Sequence, residues 1–285
     1  MASRNVVVCL DGTWNTSDLN RLSSRYWTNV YLLYKSVLPK SADGREQVKL
    51  YLPGVGTHRR PLSRLLDGMT GNGVFLTVRL ALEFIQGNTN EGDRIFIFGF
   101  SRGAFAARHL AGVIAWHGFT TAPHVDVERT FELNGGEIEP GILHFRHALA
   151  LDERRRNFMP ELYALSSLPQ YAHDFQQLWF HGYHSDVGGG VPKDRSGLSR
   201  SVLTWMSKEA QKQGLGLTAI QMELAAPQPL AANSSDIPIL TRAYHYDRAR
   251  HYDNPHTGIL KEVWEEREGL GRPGPRRRNK LVQNS

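Results

Sequence analysis

Cysteine is almost absent from this chain: Cys9 is the single one in 285 residues. An intrachain disulfide is excluded, and with it a disulfide-stapled secreted scaffold; such usage fits a reducing, cytoplasmic compartment. Cys9 sits in an apolar run, the setting of an inert core thiol rather than of a nucleophile. Long apolar runs are missing too. None approaches the roughly 18 residues of a membrane span, and Val6-Val7-Val8-Cys9-Leu10 is shorter than the apolar core of a signal peptide. There is no H-E-x-x-H and no cysteine cluster to hold a transition metal. Gly54-Val55-Gly56 lacks the third spaced glycine of a dinucleotide fingerprint, and G-x-x-x-x-G-K-S/T does not occur. No metal and no cofactor is expected. No repeat, low-complexity segment or interdomain linker divides the chain.

What is present is ordinary in bulk and specific in detail. Hydrophobic residues at 40% and charged residues at 22% match a globular protein, and 285 residues support a sizeable core. The net charge of +6 is partly local. Arg272, Arg276-Arg277-Arg278 and Lys280 lie in a Pro/Gly-interrupted stretch, read as a basic, poorly ordered tail over 261–285. Its charge suits transient contact with a phosphate-bearing membrane surface. It carries no interleaved aromatics, so nucleic acid is not an expected partner.

The first half alternates two periodicities. Val6–Leu10, Val48–Leu52 and Arg94–Phe98 read as strands. Between them, 25–37 carries Val30, Leu33, Tyr34 and Val37 on one helical stripe, and 74–85 carries Val74, Val78, Leu82 and Ile85. A third helical run, 104–116, follows. The β-α-β-α-β-α order predicts an α/β fold with a doubly wound, mostly parallel sheet flanked by helices. Further on, 142–151 is an apolar run interrupted by His144, Arg146 and His147. Phe175–Tyr183 reads as a strand and Leu198–Gln213 as an amphipathic helix stopped at Gly214. Beyond about Ala225 no element is predicted.

Gly99-Phe100-Ser101-Arg102-Gly103 joins the third strand to the third helix. A G-x-S-x-G in strand–turn–helix context makes a sharp turn whose small flanking residues let strand and helix approach, and it lifts the serine above the sheet. This is how a hydrolase presents a nucleophile. In an open α/β sheet, ligands bind beyond the C-terminal strand ends. Asp11-Gly12-Thr13, the turn at Ser101 and His184-Ser185-Asp186 converge there. A serine needs a base, and the base needs an orienting group. His184 is the first-choice base, at the end of a strand and the entry to a glycine loop. Asp186 and Asp152 are both candidate acids. His251 and His256 are alternative bases should Asp186 be the acid. Arg102 offers the oxyanion donor after the nucleophile, and Gly12 or Thr13 the second. The Arg102 side chain either braces the turn or meets an anionic head group; Asp11 is a brace for the turn or a metal ligand. Beside the hydrolase reading stand a non-catalytic interaction protein on a hydrolase scaffold and a basic lipid- or nucleic-acid-binding module.

Several blocks also resemble a family. They are Cys9-Leu10-Asp11-Gly12-Thr13-Trp14-Asn15, Gly54-Val55-Gly56-Thr57, the Gly92–Ala104 block with Ala107-Arg108 and Leu110-Ala111-Gly112, Ala150-Leu151-Asp152-Glu153-Arg154-Arg155, and His184-Ser185-Asp186-Val187-Gly188-Gly189-Gly190. Together they span about residues 6–215 and resemble the catalytic domain of the type VI secretion phospholipase effectors. The resemblance implies an α/β-hydrolase-like catalytic domain, here over 1–260, and hydrolysis of carboxylic esters, in the effectors those of glycerophospholipids. It implies a Ser–Asp–His triad with Ser101 as nucleophile and His184 as base. The acid is then Asp152 or Asp186, since Ala111 stands where some effectors place an aspartate. It also admits export as an effector without a signal peptide.

Overall fold

The computed structural model describes residues 3–12, 27–54, 71–117, 141–153, 158, 174–191, 196–218 and 257–259. The expected tail, Thr13, His251 and His256 lie outside the described residues. Strand β1 (Asn5–Leu10) is central, with β2 (Gln47–Leu52) and β3 (Arg94–Gly99) paired parallel on either side. The register sets Val8 opposite Leu50 and Ile97. All six residues of β1 are buried, because helices cover both sheet faces, and a strand so placed is apolar throughout.

Successive side chains leave a strand on opposite faces. Val6, Val8 and Leu10 therefore pack against α2 (Gly71–Asn88) and α3 (Arg102–His117) through Val74, Val78, Leu82, Ile85, Ala106 and Leu110. Val7 and Cys9 pack on the other face, against α1 (Asn29–Ser36) through Val30 and Leu33. Leu203 and Ala210 of the last helix join that face. The helical stripes predicted from spacing are these buried faces. Each fully buried Val, Leu or Ile contributes about 1.5–3 kcal/mol of transfer free energy. The crossover helices α1 and α2 lie on opposite faces, which makes the sheet doubly wound.

The second half holds another parallel ladder, β4 (His144–Ala150), β5 (Asp174–Phe180) and β6 (Thr257–Ile259), in the order β4-β5-β6. The described strands thus form two ladders of three. The interrupted run at 142–151 is strand β4, whose polar residues find partners on neighbouring elements. Arg146 donates to Glu209 at 2.7 Å and to Asp174 at 2.6 Å, and His147 Nδ1 lies 3.1 Å from Gln177 Oε1. Strand β5 stops at Phe180, short of the predicted Tyr183. A five-residue helix, α4 (His184–Gly188), stands where a glycine loop was expected. Helix α5 (Gly197–Lys212) ends ahead of Gly214, whose φ of 89° terminates it. Among the described residues no helix is long and apolar enough to cross a membrane.

Candidate active site

Ser101 is the one non-glycine residue with positive φ (56°) among the described residues. It sits between the end of β3 and the start of α3. Its carbonyl accepts from the Ala104 and Phe105 N–H groups at 2.9 and 3.2 Å, so the helix begins on the serine itself. The Phe100 N–H donates to the Leu10 carbonyl at 3.1 Å, tying the turn to the exit of β1. Both glycines of the motif are required by close approach. A β-carbon on Gly99 would overlap the Gly103 carbonyl, and one on Gly103 would overlap the Leu10 carbonyl. Ser101 is half-buried.

The turn and the His184 segment meet through Phe100. Its ring stacks on His184 with centroids 4.8 Å apart and planes 28° apart. A β-carbon on Gly188 would run into the same ring. Phe158 also meets the imidazole edge-on, at 4.9 Å and 70°. The histidine is half-buried, its Nε2 is out of contact with solvent, and apolar rings fix its position. The residue preceding the serine is therefore the residue against which the candidate base packs.

Three carboxylates surround the His184 segment. Asp152, at the exit of β4, is buried; its Oδ2 accepts the Gly182 N–H at 2.8 Å, and its own N–H donates to the Gly182 carbonyl at 2.8 Å. Glu153 is fully buried, and its Oε2 accepts the His184 N–H at 3.2 Å. Asp186 turns back to accept the Tyr183 N–H at 2.8 Å and so caps α4. Residues two apart on a helix do not face each other, so the helical placement directs Asp186 away from His184. Glu153, the buried His181 and Phe100 went unsingled by sequence reasoning. Glu153 and Phe100 lay in the quoted blocks and His181 in the strand-like run before Tyr183, but nothing local distinguished them from their neighbours.

Asp11 is a structural hub. Its Oδ2 accepts from Thr28 Oγ1 and from the Tyr51 hydroxyl, each at 2.6 Å, and its Oδ1 accepts the Gly12 N–H at 2.7 Å. Thr28 caps α1 by accepting the Tyr31 N–H and bridges to Gly189 of the glycine run. The carboxylate thereby links β1, β2, α1 and the segment after His184. Burial raises the Tyr51 hydroxyl pKa, and the Asp11 charge adds to it. Burial likewise raises the Cys9 thiol pKa, again with Asp11 adding, and leaves it inert. Among the described residues no cluster of His, Cys, Asp or Glu is suited to a metal ion. Arg102 opens α3, is half-buried, and has its pKa lowered by burial.

The sequence matches the family described as "T6SS, Phospholipase effector Tle1-like, catalytic domain" over residues 4–134 and 115–209. An uncharacterized protein of Saccharomyces cerevisiae, YEL023C, is 35% identical over 126 residues, 40% of this chain and 17% of that protein. An uncharacterized protein from Pseudomonas aeruginosa shares the fold at 17% identity and a TM-score of 0.50, over 76% of this chain and 47% of that one. A Tle1 effector bound to the VgrG spike of the type 6 secretion system aligns at 20% identity and a TM-score of 0.45, over 67% and 51%. The chain spans about half the length of these solved structures and 17% of the yeast protein.

Proposed function

The chain belongs to the Tle1-like phospholipase effector catalytic-domain family, and from that premise we propose that it is a serine carboxylic ester hydrolase, a lipase or phospholipase, working through an acyl-enzyme. Ser101 Oγ attacks the acyl carbonyl carbon while His184 takes the hydroxyl proton. The alcohol leaves with that proton. Water, deprotonated by the same imidazole, then releases the acid and restores the serine. The N–H of Arg102 serves the oxyanion, with a second donor from the Gly12–Thr13 turn.

Asp152 is our choice of acid. It is buried, hydrogen-bonded two residues ahead of His184, and precedes it in the chain order usual for this class. Asp186 serves as the cap of α4. The reading rests on one observation: a serine in left-handed backbone at a glycine-flanked strand-to-helix turn, with the ring before it stacked on His184. The substrate proposed is a phospholipid, met at a membrane surface. A reducing compartment belongs to the proposal on the strength of the single thiol.

One observation favours the rival reading of a non-catalytic scaffold. The Gly12 N–H is engaged by the Asp11 carboxylate, which takes one donor out of the oxyanion site. A fluorophosphonate probe and p-nitrophenyl ester turnover decide between the two. Wild type is expected to label and turn over; Ser101→Ala loses labelling, and its rate drops by several orders of magnitude. A rate that survives Ser101→Ala sinks the hydrolase, and absence of both labelling and turnover selects the scaffold.

A further inference from the structure

Most described arginines with an assigned partner meet a carboxylate. Arg146 lies between Glu209 and Asp174, Arg94 and Arg45 share Asp43, and Arg4 faces Glu46. Arg102 differs. Among the described residues it has no ion pair and no hydrogen bond from its guanidinium, although it is half-buried. Burial lowers its pKa, and among the described residues no charged partner offsets that burial. The carboxylates grouped around the site are held elsewhere: Asp11 by Thr28, Tyr51 and Gly12, Asp152 by Gly182, Glu153 by His184 and Asp186 by Tyr183. The first turn of α3 contributes no acid.

A cation drawn partly out of water without a counter-charge costs free energy. That cost is offset when the anion arrives with the substrate. Arg102 directly follows Ser101, and in a glycerophospholipid the phosphodiester lies a short carbon bridge from the acyl ester under attack. A guanidinium fork matches two phosphate oxygens better than an ammonium does. We propose that the Arg102 side chain receives the phosphodiester of the substrate, so that position 102 selects phosphate-bearing esters over neutral ones. This rests on the hydrolase reading of the same site.

Binding and turnover test it separately. In a Ser101→Ala background, affinities for dihexanoyl phosphatidylcholine below its micellar concentration and for dihexanoylglycerol are compared by calorimetry, with and without Arg102→Gln. The preference for the phosphate lipid is expected to fall about 10- to 100-fold with Arg102→Gln and less with Arg102→Lys. An unchanged preference overturns the proposal, as does an equal fall with Lys and Gln. Competition by inorganic phosphate distinguishes a site for free phosphate from one for the lipid: strong competition with no lipid preference also overturns it. If the Gln variant does not fold, Arg102→Lys and the salt dependence of the preference take its place, and a salt-insensitive preference counts against the proposal. Wild type that binds the phosphate lipid selectively yet hydrolyses neither lipid sinks the hydrolase reading and leaves the role of Arg102 intact.

Discussion

Ser101 holds a backbone conformation that L-residues avoid, at a cost of about 1–2 kcal/mol, because its β-carbon crowds the following carbonyl. Two substitutions separate that cost from chemistry. Ser101→Ala removes the hydroxyl and keeps the β-carbon, so the proposed hydrolase activity is expected to be lost with little change in stability. Ser101→Gly removes both, and glycine adopts positive φ freely. It is expected to be as inactive as the alanine variant but more stable by up to about 1 kcal/mol. Urea midpoints for the two variants check this, and equal midpoints would show that the turn stores no strain. The strand-to-helix turn at Ser101 was legible in the sequence because it is local: five residues carry both the serine and the glycines that Leu10 and Gly103 demand. Which carboxylate lies nearest His184 was not legible, because that depends on what a segment some thirty residues away brings to Gly182 and His184.

At the scale of elements, the start of α1 is the joint of the site. Thr28 caps the helix, donates to Asp11 at 2.6 Å and bridges to Gly189, while Asn29 Nδ2 donates to the carbonyls of Val187 at 2.9 Å and Ser199 at 2.8 Å. One turn therefore fastens the exit of β1 to the segments on either side of the glycine run. Thr28→Val keeps the shape and removes the hydroxyl. The lost cap costs about 1 kcal/mol, and a buried carboxylate short of one donor costs about 1–3 kcal/mol more. Ser101→Ala is expected to add nothing to that loss, because the two sites share no hydrogen bond. Thermal unfolding of the single and double variants checks it; a Thr28→Val protein as stable as wild type would remove Asp11 and Thr28 from the framework. The helical stripes of α1 and α2 were readable because one face of each is simply apolar, as at Val74, Val78, Leu82 and Ile85. Strand β4 was not readable, since Arg146 and His147 look like solvent residues until Glu209, Asp174 and Gln177 are placed beside them. Helix α4 escaped for another reason: five residues ending on the first of three glycines carry no periodicity.

For the molecule as a whole, those polar partners contribute to the response to acid. Hydrogen bonds from Arg146 and His144 hold the Asp174 pKa below its ordinary value, and Lys212 and Arg146 hold Glu209 low against the opposing effect of burial. Groups depressed in this way stabilise the fold above the ordinary carboxylate range, and the stabilisation fades as pH falls through their folded values. His147 acts earlier. Burial pulls its pKa from 6.5 down to about 4, with the Gln177 hydrogen bond opposing and the Arg108 charge assisting. The unfolded chain thus takes up a proton at this position below about pH 6.5 that the folded chain refuses until about pH 4. Stability consequently declines across that window and levels off below it as far as this residue is concerned. The loss is at most about 3 kcal/mol, because the ring keeps some exposure. Because stability at any one pH sums many groups, the informative quantity is a difference. His147→Gln offers a neutral side chain in the same place, and urea unfolding of both proteins at pH 7, 5.5 and 4 should show the gap between them closing as the medium becomes acid. Parallel curves would mean that His147 is protonated as readily in the fold as out of it, and that the interface of β4 and β5 around Gln177 is open to water.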